Sequence, residues 1–318
     1  YPSSGEVGWM QALDGFFKVD LSESFQEIYE SFAPKQLATA RLPAECTNYV
    51  YLICKGFMGG FVAGYWNTFF KHLQRSGLDT LMVPLDTVGA SLHNARVIRD
   101  CVLAQTKMVV LIGHSKGGVD SSMAITLFPE IIPRVRGLIT LQSPFGGSPI
   151  ATDFCQSSPK FFAGALKSLM GDPKAMDQLT YKFRRQFFKE HSYPIAKVPT
   201  VCFTSSCGTH FTVMRRFYAY IMQMYGVPND GMVCSPDAVL PGAISVHVDR
   251  VDHGSTVVAM PLCVYSKNRL VDSLLSLLFH HTSKAEEMLD HSEPIPINTG
   301  MIPTASLVRV QAPTSSTN

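Results

Sequence analysis

Residues Gly113-His114-Ser115-Lys116-Gly117 set a serine between two glycines in a G-x-S-x-G pattern. A serine hydroxyl is a weak nucleophile until a histidine takes its proton and a carboxylate holds that histidine's tautomer. The flanks fit this chemistry. Residues 108–112 are apolar and predict a buried parallel strand, and residues 118–128 carry Val119, Met123, Ile125 and Leu127 at helical spacing. Strand, sharp turn and helix together make the setting of a nucleophile elbow. At the tip of such a turn the serine backbone is strained. The residues two positions away on either side must lack a Cβ, or strand and helix collide. Ser115 is the candidate nucleophile, and the bland alternative is a glycine-rich surface turn.

The partners of an elbow serine follow it in the order acid, then histidine, on loops after later strands. His72 and His93 precede the serine, and His114 lies inside the elbow with its side chain expected to point away from the hydroxyl. His191 falls between the expected strands, His247 inside the last one, and His280, His281 and His291 in or past the closing helix. His253, just past the last strand and followed by Gly254, fits best. For the acid, Asp230 in a Pro-Asn-Asp-Gly turn competes with Asp237, Asp249 and Asp252. Asp249 and Asp252 are too near His253 in sequence to reach it easily from another loop, and position favours Asp230. Two backbone N–H groups should face the developing oxyanion. One is that of Lys116, directly after the serine. The other comes from the glycine-rich run Gly56-Phe57-Met58-Gly59-Gly60, with Phe57 the first choice and Met58 the second.

These residues need a scaffold. Strands are expected at 49–54, 78–83, 108–112, 137–141, 200–204 and 243–248, with helices at 22–32, 90–103, 118–128, 210–225 and 270–281. The alternation predicts an α/β chain with a mostly parallel, doubly wound sheet. Between Leu141 and Thr200 the pattern changes. A turn-rich loop at 142–149 is followed by one helix from Ser158 to Gly171. A second begins at Asp172-Pro173 and ends before Pro194, with Met176, Leu179, Phe183 and Phe187 on its apolar stripe and Arg184, Arg185 and Lys189 on its other sides. The expected organisation is an N-terminal extension at 1–45, a core at 46–153 and 195–293, an insertion at 154–194, and a disordered Pro-, Ser- and Thr-rich tail at 294–318. The extension is expected to pack on the surface of the core.

Composition narrows the partners. The 318 residues are 46% hydrophobic and only 16% charged, with a net charge of +2. This gives no case for nucleic-acid binding and suits a chain that meets apolar molecules. No apolar run approaches the roughly 18 residues of a membrane span, so a soluble chain is expected. The first residue, Tyr1, is read as the start of a processed chain from which any targeting peptide has gone. The eight cysteines show no metal-ligand spacing. Cys54, Cys202 and Cys263 read as buried free thiols, with a Cys202–Cys207 bridge the alternative.

KGFMGG, GHSKGG, SPFGGSPIATDF, NDGMV and DHGSTV together resemble motifs of the bacterial triacylglycerol lipase group of α/β hydrolases. The resemblance spans residues 49–259 in scattered segments. It implies the α/β-hydrolase fold and the same Ser115, Asp230 and His253, and it places a helical cap or lid at 154–194. Three positions depart from the family pattern. Lys55-Gly56 stands where the family has His-Gly. Phe145 replaces a histidine, which makes the pocket rim more apolar. Ser255 stands where the family's structural calcium takes an aspartate, so no metal and no cofactor are expected. The reading is a serine carboxylic-ester hydrolase for small-molecule or lipid-like apolar esters, with Phe57, Met58, Phe61 and Phe145 lining the pocket. Peripheral contact with lipid surfaces follows from that rim, and the oligomeric state is left open. The alternatives are acyl transfer on the same residues, or a non-catalytic small-molecule receptor on a hydrolase scaffold.

Overall fold

The computed structural model describes residues 6–13, 15–32, 42–156, 173–208, 214–258 and 265–290. The expected helix from Ser158 to Gly171, the start of the 210–225 helix, Cys263 and the 294–318 tail lie outside the described residues. Seven strands form one parallel sheet: β1 (Val19–Asp20), β2 (Val50–Cys54), β3 (Asp79–Met82), β4 (Val109–His114), β5 (Val135–Leu141), β6 (Thr200–Ser206) and β7 (Ile244–Asp249), in the order β1-β7-β6-β5-β4-β2-β3.

The central strands are buried on both faces, as the continuous apolar runs require. In β2, Val50, Leu52 and Cys54 face one layer while Tyr51 and Ile53 face the other. The first layer holds α3 (Ser91–Leu103) and α4 (Lys116–Leu127), and the second holds α1 (Ser22–Ser31), α2 (Asn67–Arg75) and α9 (Lys267–Asp290). Each fully buried Leu, Ile or Val in these layers contributes roughly 1.5–3 kcal/mol.

Two regions differ from expectation. The N-terminal residues do not simply lie on the surface. β1 extends the sheet beside β7, and Ser22 Oγ accepts from the His247 N–H at 2.9 Å. Phe25 and Tyr29 of α1 are buried, and Trp9 donates its indole N–H to the Gly146 carbonyl at 2.7 Å. Short parallel pairing at a sheet edge carries little apolar signature, so β1 left no pattern to read.

Between β5 and β6 the structure describes α5 (Pro149–Gln156), α6 (Pro173–Asp177), α7 (Tyr181–Glu190) and their connections. The single helix expected from Asp172 is broken, because Thr180 turns out of helical geometry and its hydroxyl caps α7 through the Phe183 N–H at 3.2 Å. Arg184 of α7 is fully buried rather than on a solvent side. Its Nε donates to the Phe145 carbonyl at 2.9 Å, and its guanidinium lies 4.9 and 5.0 Å from the Phe187 and Phe188 rings. α8 (Arg215–Tyr225) leads to the loop that carries Asp230. Cys54, Cys202 and Cys207 are free thiols.

Candidate active site

Strand β4 ends at His114 and helix α4 begins at Lys116, so Ser115 alone makes the turn. Its φ of 53° and ψ of −126° are a strained conformation for a residue with a side chain. The Ser115 N–H donates to the Leu141 carbonyl at 2.9 Å, anchoring the turn to the end of β5. The two flanking glycines are sterically required. A Cβ on Gly113 would stand 2.5 Å from the Gly118 nitrogen, and one on Gly117 would run into the Cys54 and Lys55 carbonyls. Ser115 keeps 9% of its surface exposed at the carboxyl end of the sheet.

His253 follows β7 and is held by Asp230 twice. Its Nδ1 lies 2.8 Å from Asp230 Oδ2, and its backbone N–H donates to the Asp230 carbonyl at 2.9 Å. A carboxylate only accepts, so Nδ1 carries the proton and Nε2 presents a lone pair. Asp230 is itself fixed, because its Oδ1 accepts from the Met232 and Val233 amides at 2.9 and 2.8 Å. Among the described contacts, Ser115 Oγ is not hydrogen-bonded to His253. A side-chain link joins the two loops instead, with His114 Nε2 lying 2.8 Å from the His253 carbonyl oxygen.

The competing carboxylates are occupied elsewhere. Asp237 accepts from the Gly8 N–H and the Tyr181 hydroxyl, each at 2.8 Å, and burial pushes its carboxyl up to about 7. Asp249 accepts from Ser206 Oγ at 2.6 Å. Asp252 caps the turn after His253 by accepting from the Gly254 and Ser255 amides. His247 lies within β7, bonded to Thr204 Oγ1 at 2.9 Å.

The remaining expected residues are distributed unevenly. Lys116 opens α4, where the first N–H groups of a helix have no internal partner and its dipole favours negative charge. The 56–60 loop passes close to the serine, since a Cβ on Gly56 would stand 3.0 Å from that of Ser115. Within the loop, Met58 has φ 55° and spends its amide on the Thr87 carbonyl at 3.3 Å. The Met58 N–H is therefore already engaged. Phe61 is 72% exposed. Phe145 is a correction, because it does not line the rim at all. Its ring is fully buried in the core cluster beneath α7. The loop folds back as the Gly146 N–H reaches the Asp237 carbonyl at 2.9 Å, which gives the phenyl ring a dry environment.

Several residues around the site escaped sequence reasoning. The Lys116 side chain is buried with Asp120, Nζ to Oδ2 at 2.8 Å, and Asn94 Nδ2 donates to the same oxygen at 2.7 Å. Gln142, at φ 53° and fully buried, donates to Ser205 Oγ at 2.5 Å and to the Asp252 carbonyl at 3.1 Å. Its Oε1 accepts from Thr256 Oγ1 at 2.8 Å, so one amide ties the His253 loop to β6. His114 points toward the His253 loop and Tyr65 bonds to it. Apart from Lys116–Asp120, four residues apart on α4, these contacts carry no spacing signal, because each partner lies far away in sequence. Among the described residues no group of His, Cys, Asp or Glu is arranged to hold a metal ion, and no helix is long and apolar enough to cross a membrane.

The fold matches a metagenomic carboxyl esterase with a TM-score of 0.65 and 20% identity, over 84% of this chain and 93% of that one. The chain has the α/β-hydrolase fold. A Bacillus licheniformis lipase in its mature form is similar with a TM-score of 0.59 and 20% identity, over 74% of this chain and 94% of that one. A Staphylococcus hyicus lipase gives 0.54 and 12% identity, over 79% and 99%. A family model described as a PGAP1-like alpha/beta domain matches residues 93–166, from within α3 through the elbow and past β5. No curated protein matches this chain.

Proposed function

We propose that this α/β-hydrolase chain is a serine carboxylic-ester hydrolase acting on lipid-like, apolar acyl esters. The observation that carries the reading is the pairing of a strained elbow serine with a histidine whose Nδ1 is bonded to a buried carboxylate at 2.8 Å. In this reading His253 Nε2 takes the Ser115 proton as Oγ adds to the ester carbonyl carbon. The Lys116 and Phe57 amides receive the negative charge on the carbonyl oxygen, each worth on the order of 10²–10³ in rate. Collapse breaks the carbon–alkoxide bond, and the imidazolium returns its proton to the leaving alcohol. Water then enters by the same route in reverse, leaving a carboxylic acid and free Ser115. Asp230 keeps the tautomer and stabilises the imidazolium. The serine–histidine bond forms as substrate enters, since such bonds are often long in an empty site.

The lipase and esterase neighbours support an ester substrate with an apolar acyl part. Phe57 and Met58, in the loop that passes beside Ser115, are assigned to the acyl side of the pocket. Phe61, standing out beside the oxyanion loop, supports contact with a lipid surface. A fluorophosphonate should add once, at Ser115, with turnover of esters from short to long acyl chains. Ser115→Ala should abolish both. Retained hydrolysis in Ser115→Ala would refute the mechanism.

A further inference from the structure

Three hydrogen bonds run in line beside Ser115. The Gly56 N–H donates to the Tyr65 phenol oxygen at 3.2 Å, that phenol lies 2.5 Å from His114 Nδ1, and His114 Nε2 lies 2.8 Å from the His253 carbonyl oxygen. Their directions follow from chemistry. The carbonyl can only accept, so Nε2 carries the ring proton and Nδ1 carries the lone pair. The phenol must then donate to Nδ1, and its own oxygen accepts from Gly56. Tyr65 and His114 are both buried. Burial, reinforced by nearby His253, holds the His114 imidazole well below its ordinary value, and burial pushes the Tyr65 phenol up. Neither changes charge near neutral pH, so the line keeps one arrangement.

What the line connects is specific. Gly56 opens the loop that carries Phe57, His114 immediately precedes Ser115, and His253 is the base of the proposed reaction. The backbone of His253 is gripped on both sides, its N–H by Asp230 and its carbonyl by His114. We propose that Tyr65 and His114 are positioning residues that lock the 56–60 loop and the His253 loop into one register about Ser115. Oxyanion donor and base are thereby set against the same serine by side chains that touch no reacting atom. The assignment rests on the ester-hydrolase reading above.

The test uses the full chain with Tyr65→Phe, His114→Gln and His114→Phe. Tyr65→Phe preserves the ring but removes the phenol oxygen that accepts from the Gly56 N–H and lies 2.5 Å from His114 Nδ1. A loop shift near 1 Å lowers the rate by about a hundredfold, so kcat should fall about tenfold to a hundredfold with KM nearly unchanged. In His114→Gln the amide nitrogen occupies the place of Nε2 and still reaches the His253 carbonyl. It should recover at least about tenfold in kcat over His114→Phe, which keeps neither bond. Imidazole nitrogen spectra of the wild type should show His114 as a single Nε2–H tautomer that does not titrate between about pH 5 and 8. Tyr65→Phe should also shift the His253 ring signals.

A Tyr65→Phe kcat within threefold of wild type would overturn the proposal. So would an equal loss in His114→Gln and His114→Phe accompanied by lowered melting temperatures, which would mark a packing role. If the wild type turns over no ester, the hydrolase reading fails by itself. The coupling of His114 to His253 is then decided by the spectra alone, and an unmoved His253 signal or a titrating His114 would overturn it.

Discussion

Asp230→Asn probes the tautomer argument directly. Asp230 accepts three N–H groups, the Met232 and Val233 amides on Oδ1 and His253 Nδ1 on Oδ2. An asparagine can keep Oδ1 as the acceptor of both amides, but its NH₂ then faces Nδ1. Two donors repel, so the imidazole turns to the tautomer with its proton on Nε2, the nitrogen needed to receive the Ser115 proton. The expected loss in kcat is about 10⁴. At about 1.36 kcal/mol per tenfold, this corresponds to about 5.4 kcal/mol of transition-state stabilisation. The fold should barely respond, because two of three buried contacts survive, and a loss of about 1 kcal/mol lowers Tm by only about 2–4 °C. Steady-state turnover of a soluble short-chain ester, run beside thermal denaturation, reads both quantities. A kcat within tenfold of wild type at unchanged Tm would show that Asp230 does not set the protonation of His253.

Other perturbations separate structure from chemistry. Asp120→Asn leaves the Lys116 ammonium buried without its carboxylate, which costs about 3–5 kcal/mol. Thermal denaturation should show a fall of about 6–20 °C, largely restored by adding Lys116→Met, and a fall under about 2 °C would mean the ammonium finds water. Asp237 has its carboxyl raised from 3.8 to about 7, so between those values the folded chain holds a proton that the unfolded chain releases. Its contribution is therefore greatest below the unfolded value and is lost as pH rises through 7. The Tm of Asp237→Asn relative to wild type should climb between about pH 4 and 7 and level off above that, and a constant difference would refute this. Phe61→Ser should lower hydrolysis of vesicle-borne esters by about tenfold, the worth of one apolar side chain leaving water, and much less for a soluble ester. Equal losses on both would place Phe61 in the pocket wall instead.

The sheet was legible in the chain because its strands are buried on both faces. Residues 108–112 and 137–141 announce themselves as apolar runs bounded by glycine or proline, and they became β4 and β5 nearly unchanged. Ser115 was legible for a different reason, since steric exclusion at Gly113 and Gly117 writes itself into residue identity. The Asp230–His253 pair needed only chain order and loop position. Features built from long-range polar pairing were silent. Gln142 reads as one more residue of a turn-rich loop, yet its amide spans β6 and the His253 loop. Arg184 reads as the polar side of an amphipathic helix, because spacing cannot reveal that a backbone carbonyl and two phenyl rings await it. Phe145 was misplaced because an aromatic residue in a glycine-rich loop fits a rim and a core equally well until the loop's fold is known.

The pairing of β1 with β7 has a consequence in time. Ser22 and His247, which meet at that edge, are 225 residues apart in the chain. At synthesis rates of about 5–20 residues per second, roughly 11–45 s pass between the emergence of one and the other. Throughout that interval Phe25 and Tyr29 have no sheet edge or closing helix to cover them, and closing so long a loop slows the final step further. The Asp230 and His253 loops, on either side of β7 in sequence, join the Ser115 turn in the same late event. The nascent chain thus exposes the Phe25 and Tyr29 face of its N-terminal helix until the sheet edge that covers it has been made.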